Sequence, residues 1–240
     1  MEESIVDRSA WLKQIRRSTE EEYTVEAPSF DDNWGSIDPT HQEFIANFLS
    51  LCPPGGTILD AACGTGKYWS LILDSGRKVH GVDQSQGMLT RAHEKFPAAS
   101  YEKIGLQEIN YQEVFDGAIC MDAMENVFPE DWLAVLKNLH RAIKPKGYFY
   151  FTVELASEKE VEQAFTEATQ MGLPVVYGEW TQKGEYHYYP KIDQVKEWLN
   201  SAGFAVIEEG SAPFAVDDSS SEEEAGYIGQ GYYHVLAQKK

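Results

Sequence analysis

Twelve residues, ILDAACGTGKYW (Ile58–Trp69), restrict the folds open to this chain more than any other stretch. An apolar strand, Thr57–Leu59, runs into Asp60, and six small residues follow: Ala61, Ala62, Cys63, Gly64, Thr65 and Gly66. Lys67–Leu73 then reads as a helix. A reversal this sharp needs residues without bulk, and glycine lets a ligand lie directly on the backbone. The free N–H groups of the new helix converge on the same spot. The turn is therefore a cradle for an acidic group on a small molecule, with Asp60 placed to hold an ammonium.

A second strand, Lys78–Val82, also ends in an acid, Asp83, 23 residues after Asp60 and about one strand–helix–strand unit away. In doubly wound folds an acid at this strand end accepts from a ribose diol. A dinucleotide fingerprint needs a third glycine where Trp69 stands, so NAD and FAD are disfavoured.

Asp60-x-Ala62-Cys63-Gly64-Thr65-Gly66 and Gly81-Val82-Asp83-Gln84-Ser85 resemble the first two motifs of class I S-adenosylmethionine-dependent methyltransferases. Ile104–Gln107, Phe115–Ala123 and Leu139–Phe149 are similar to later family segments, in the family's order. The close resemblance covers Thr57–Glu154. It implies a doubly wound α/β fold with a mostly parallel seven-stranded sheet, an antiparallel last strand and helices on both faces. It also implies S-adenosylmethionine as cofactor, with S-adenosylhomocysteine as product. Gly64 and Gly66 would let the backbone approach the methionine, with Ala62 and Thr65 in the same turn and Asp60 near the ammonium. Asp83 would accept the ribose hydroxyls beside Gln84 and Met88, although Met88 equally suits the core. Leu106 and Gln107 would edge the adenine, and Met121 and Asp122 would approach the sulfonium. Two residues depart from the pattern. Ala62 stands where glycine is usual, and Asn126 where many relatives carry histidine.

A length of 240 residues with 42% hydrophobic content suits one domain with a sizeable core. Its expected parts are an N-terminal helical cap (1–51), a cofactor core (52–155), an inserted hairpin lid (171–190) and an acidic loop (211–226). No run reaches the roughly 20 apolar residues that cross a bilayer, and MEESIVDRSAWLKQIRR lacks a signal-peptide core. Cys52, Cys63 and Cys120 are odd in number, far apart and without metal-ligand spacing. A cytoplasmic protein without metal, disulfide framework or membrane partner is expected. The net charge of −19 would repel nucleic acids at long range.

Along the chain, Ser4–Arg17 has loosely helical spacing, and acidic Glu20–Trp34, with Pro28, reads as extended. Asp38-Pro39-Thr40 starts a helix that Pro53-Pro54-Gly55-Gly56 stops. Strands are expected near 57–60, 78–82, 99–104, 115–121 and 147–154, then a helix over Ser157–Gln170. Val175–Trp180 and Glu185–Tyr189 read as a hairpin, Ile192–Ala202 as the last helix. Phe204–Glu208 and Gly231–Ala237 would pair antiparallel.

Methyl transfer needs a nucleophile aligned behind an activated methyl, and a base only where the acceptor must lose a proton. Glu185–Pro190 (EYHYYP) is the densest polar–aromatic cluster. Strand alternation puts Tyr186 and Tyr188 on one face and His187 and Tyr189 on the other. His187 is the candidate base, because imidazole titrates near neutrality. Trp34, Trp180, Tyr186 and Tyr188, with Tyr232 and Tyr233 behind them, are candidates for an aromatic acceptor wall. Glu125 and Glu154 stand beyond strand ends, where they could bind a cationic acceptor or assist proton removal; His234 reads as structural. The sequence thus points to a monomeric or homodimeric enzyme that methylates oxygen or nitrogen of a small, flat or partly apolar molecule. A non-methylating reaction on the same fold, a protein or peptide methyltransferase and a non-enzymatic binding protein are the alternatives.

Overall fold

Short apolar runs between amphipathic helices build a sheet buried on both faces. The computed structural model describes residues 7–182, 184–214 and 227–240. Its main strands are β1 (Thr57–Ala61), β2 (Lys78–Asp83), β3 (Ser100–Lys103), β4 (Phe115–Cys120) and β5 (Ile143–Ala156). A two-stranded hairpin, β6 (Glu179–Gln182) and β7 (Glu185–Tyr188), precedes β8 (Phe204–Pro213) and β9 (Gly229–Lys239). The seven-stranded sheet has the order β3-β2-β1-β4-β5-β9-β8. The last strand, β9, runs antiparallel to both neighbours, and the other pairings are parallel. Strand order reverses between β1 and β4, which opens a crevice at their carboxyl ends, where α/β folds bind ligands.

Alternation along the strands feeds two cores. Leu59, Ala118, Phe149 and Phe151 face one side, packed on α6 (Trp132–Ala142) and α8 (Ile192–Ala202). Ile58, Ile119 and Tyr150 face the other, against α3 (Pro39–Leu51), α4 (Trp69–Asp74) and α5 (Gln86–Lys95). The expected start of α3 is present: Asp38 caps it by accepting from the Thr40 N–H, and Pro39 opens the first turn.

Four readings need correction, the first being the hairpin's opening strand, which covers Glu179–Gln182 and not Val175–Trp180. Glu20–Trp34 is helical, not extended: α1 covers Arg8–Glu26, α2 covers Phe30–Trp34, and α7 later spans Glu158–Gln170. Glutamate favours helix, Asp7 caps α1, and Arg17 pairs with Glu21 one turn on. The helix after the glycine turn begins at Trp69 instead of Lys67, because Gly66 has a φ of 76°. Strand β5 starts four residues before the expected 147 and pairs with β4 across an irregularity. The low-complexity stretch Asp217–Glu224 lies outside the described residues, as does Lys183 in the hairpin turn.

Candidate active site

The glycine turn makes its reversal through three left-handed residues, Ala62 (φ 59°), Gly64 (φ 52°) and Gly66 (φ 76°). Its two glycines have different neighbours. A Cβ on Gly64 would meet nothing within 4 Å, so that backbone stands open. A Cβ on Gly66 would lie 2.9 Å from the Trp69 ring. One on Gly81, on β2, would lie 2.3 Å from the same ring. Trp69 therefore fills the space where a dinucleotide fold packs its third glycine, and holds β2 against the turn.

Asp60 ends β1 beneath this turn and is almost wholly buried. Its Oδ2 accepts from Trp69 Nε1 at 2.8 Å. Burial, then the nearby charges of Asp83 and Asp122, push its carboxyl up to about 8. An arriving ammonium would supply the missing counter-charge. Asp83 takes the Gly64 N–H on Oδ2 (2.9 Å) and the Ser85 N–H on Oδ1 (2.7 Å). Burial raises it, against those backbone donors. Its remaining lone pairs are of the kind that a diol's hydroxyls could donate to.

Helices α1 and α2 lie over the crevice. The Thr24 and Ser85 hydroxyls meet at 2.9 Å, Lys103 bonds Glu20, and Asp31 accepts from both Thr65 Oγ1 and Lys95. Between α1 and the ends of β2 and β3 runs an open groove of about 170 Å³, lined by Gln84, Ile104 and Gln107 and by charged residues that include Arg16, Glu20 and Lys103. Of the two residues that the resemblance puts at the adenine edge, Gln107 lines this groove and Leu106 does not. Met88 is buried, its N–H donating to Ser85 Oγ at the start of α5, and Leu106 is buried in the core. Met121 is packed in the α3 side of the core.

At the ends of β4 and β5 the residues are acidic and aromatic. Asp122, itself left-handed (φ 51°), is bound by His41 Nε2 (2.9 Å), Lys67 Nζ (3.3 Å) and the Tyr68 hydroxyl (2.6 Å). Burial alone would raise it; His41, Lys67 and Tyr68 outweigh that and hold it well below the usual carboxylate range. Glu154 Oε2 bonds His187 Nδ1 at 2.7 Å, and the Tyr189 hydroxyl lies 3.3 Å from the same nitrogen. Glu125 is buried, and burial followed by the neighbouring Glu154 pushes it well up.

Tyr186 and Tyr188 do not join this group. Tyr186 packs edge-on against Trp11 and Phe128 and donates to Glu179, which Arg8 of α1 neutralises; Tyr188 packs near Trp132. They are core in place of the expected acceptor wall, because that hairpin face packs on Trp11, Phe128 and Trp132. The opposite face carries His187 and Tyr189, with Trp180 edge-on to His187 at 5.5 Å. Trp34 is 55% exposed. Tyr233 is buried, with its hydroxyl donating to Glu209 on β8, and His234 bonds Tyr150 inside the core. His41, Tyr68 and Tyr189 were not singled out for the site from the sequence, and α3 brings His41 in from 81 residues away.

A glycine cradle over a buried Asp60, an acid closing β2, and a crevice at the switch point define a class I S-adenosylmethionine-dependent methyltransferase. The methyltransferase domain family model matches residues 36–209, and the chain belongs to that family. It is 30% identical over 205 residues to the demethylmenaquinone methyltransferase of Symbiobacterium thermophilum, covering 71% of this chain and 76% of the relative. Of several other curated relatives it spans about half the length. Among solved structures it superposes on a Burkholderia thailandensis 1,6-didemethyltoxoflavin-N1-methyltransferase holding S-adenosylhomocysteine. That match has a TM-score of 0.68 at 15% identity and covers 100% of this chain and 93% of the other. The [4+2]-cyclase SpnF also shares the fold, with a TM-score of 0.66 at 15% identity, covering 92% of this chain and 94% of that one.

Proposed function

We propose that this enzyme transfers the methyl group of S-adenosylmethionine to an oxygen or nitrogen of a small molecule, releasing S-adenosylhomocysteine. The observation that carries the small-molecule reading is the inward burial of the acceptor side. Glu125 and Glu154 lie inside the fold, and α1 and the hairpin stand over the strand ends. Among the described residues the acids at these strand ends are buried, which suits a small molecule better than a polypeptide or nucleic-acid strand.

The cofactor brings a methyl already activated on sulfur. This chain's residues do the rest. Asp60 and Gly64 hold the methionine end, Asp83 takes the ribose, and the Gln84–Gln107 groove takes the adenine. Glu154 accepts from His187 Nδ1–H, which leaves Nε2 as the ring nitrogen free to take a proton from an acceptor. Alignment and exclusion of water supply most of the remaining rate.

Calorimetry with S-adenosylmethionine and S-adenosylhomocysteine tests the cofactor half. Asp83→Ala should abolish binding, while His187→Ala should leave it within about twofold and remove turnover in a metabolite screen that detects released S-adenosylhomocysteine. Loss of binding in both variants would remove His187 from the acceptor side. Failure of the parent protein to bind either nucleoside at micromolar concentration would sink the proposal.

A further inference from the structure

Among the described residues, two carboxylate oxygens in this site have no hydrogen-bond partner. Glu125 is 6% exposed with Oε2 unbonded, and Glu154 is 1% exposed with Oε1 unbonded. Buried carboxylates are ordinarily paired, because an ionised one without a counter-charge is strongly disfavoured. The neighbouring acids follow that rule. Asp122 has His41 and Lys67, Glu179 has Arg8, and Glu154 offers its other oxygen to His187. Among the described residues, no lysine, arginine or histidine pairs with Glu125.

The turn that carries Glu125 packs against β5, which carries Glu154, and burial followed by Glu154 pushes the Glu125 carboxyl well up. Tyr232 stands opposite Glu154 in the β5–β9 pairing, and the Tyr189 hydroxyl lies 3.3 Å from the His187 nitrogen that Glu154 bonds. Carboxylates of surplus charge flanked by tyrosine rings match one ligand chemistry: a positive nitrogen, which the acids attract and the ring faces tolerate. A neutral donor could meet these oxygens' hydrogen bonds but not balance their charge, and an anion could do neither.

We propose that Glu125 and Glu154 form a receptor for a cationic nitrogen, so that the methyl acceptor is a small amine or guanidine; this rests on the small-molecule methyltransferase reading above. The rival is a carboxyl kept neutral by a proton, indifferent to ligand charge. The two differ in how they respond to glutamine, which mimics a protonated carboxyl without its charge.

The test uses the full chain saturated with S-adenosylhomocysteine. Calorimetry compares tyramine, tryptamine and agmatine with neutral 4-ethylphenol and 3-methylindole and with anionic 3-(4-hydroxyphenyl)propanoate. At least one cation should bind tenfold or more tighter than any neutral or anionic probe. Glu125→Gln should lose that preference by at least tenfold while keeping its S-adenosylhomocysteine affinity within twofold. Should Glu125→Gln fail to fold, Glu154→Gln serves in its place, since the amide oxygen still accepts from His187. Absence of cation binding, equal binding of neutral probes, or a glutamine variant that binds cations like the parent would overturn the proposal alone. Absence of S-adenosylhomocysteine binding by the parent would overturn the methyltransferase site, and the proposal with it.

Discussion

The indole of Trp69 donates a 2.8 Å hydrogen bond to Asp60 and lays its ring against Gly66 and Gly81, so one side chain supports both walls of the cofactor turn. Trp69→Phe removes the donor and leaves a small void in a fully buried place. Stability should fall by about 2–3 kcal/mol, read from urea denaturation, since a lost partner for a buried acid and a small cavity each cost roughly 1–1.5 kcal/mol. Cofactor affinity should fall as well. A Phe variant of parental stability and affinity would mean that Asp60 does not depend on the indole.

Gly64 and Gly81 separate binding from folding. At Gly64 a methyl group meets open space but demands a left-handed backbone, so Gly64→Ala should cost only about 1 kcal/mol. It should still lose most cofactor affinity, because the methyl stands where the ligand lies on the backbone. Gly81→Ala forces a methyl into the Trp69 ring and the Cys63 sulfur and should cost roughly 1–3 kcal/mol. Paired thermal melts and calorimetry read the contrast; parallel losses in both variants would refute it.

Ala62 occupies a left-handed conformation that glycine adopts freely. The strain is about 1–2 kcal/mol, and glycine adds back roughly 0.4–1 kcal/mol of unfolded-state entropy. Ala62→Gly should therefore raise stability by up to about 1 kcal/mol with unchanged cofactor affinity. A lower urea midpoint would show that the alanine methyl makes a contact worth more than the strain.

The legible part of this site is the part written locally. Asp60, Gly64 and Asp83 sit within one strand–helix–strand unit, where strand length and turn chemistry determine their placement. His41 reaches Asp122 across 81 residues, and nothing in α3 marks it apart from any other helical histidine. Period-two alternation separated Tyr186 and Tyr188 from His187 and Tyr189, but alternation cannot say which face turns inward. That depends on distant partners: Trp11 and Phe128 pack on Tyr186, and Arg8 pairs with Glu179, 171 residues away. The acidic run and Pro28 masked α1, whose stability comes from its cap and from contacts with the core such as Trp11 and Ile15.

Asp60 also makes a prediction about pH. Its carboxyl is pushed up to about 8 in the unliganded protein from an ordinary value of 3.8, chiefly by burial. A raised acid binds its proton in the folded state while the unfolded chain has already released it. Its contribution to stability therefore falls as pH rises from about 4 to about 8, then levels off. Cofactor binding runs the other way. The ammonium of the methionine end needs the ionised carboxylate, so affinity should rise close to tenfold per unit between roughly pH 6 and 8. Above about 8 the ligand's own α-amino group loses its proton and affinity should decline again. At pH 7, calorimetry in buffers of different ionisation enthalpy should register release of nearly one proton per S-adenosylhomocysteine bound. Asp60→Asn should bind more weakly and flatten the rising limb. A flat profile in the parent protein would mean that Asp60 is not the group facing the ammonium.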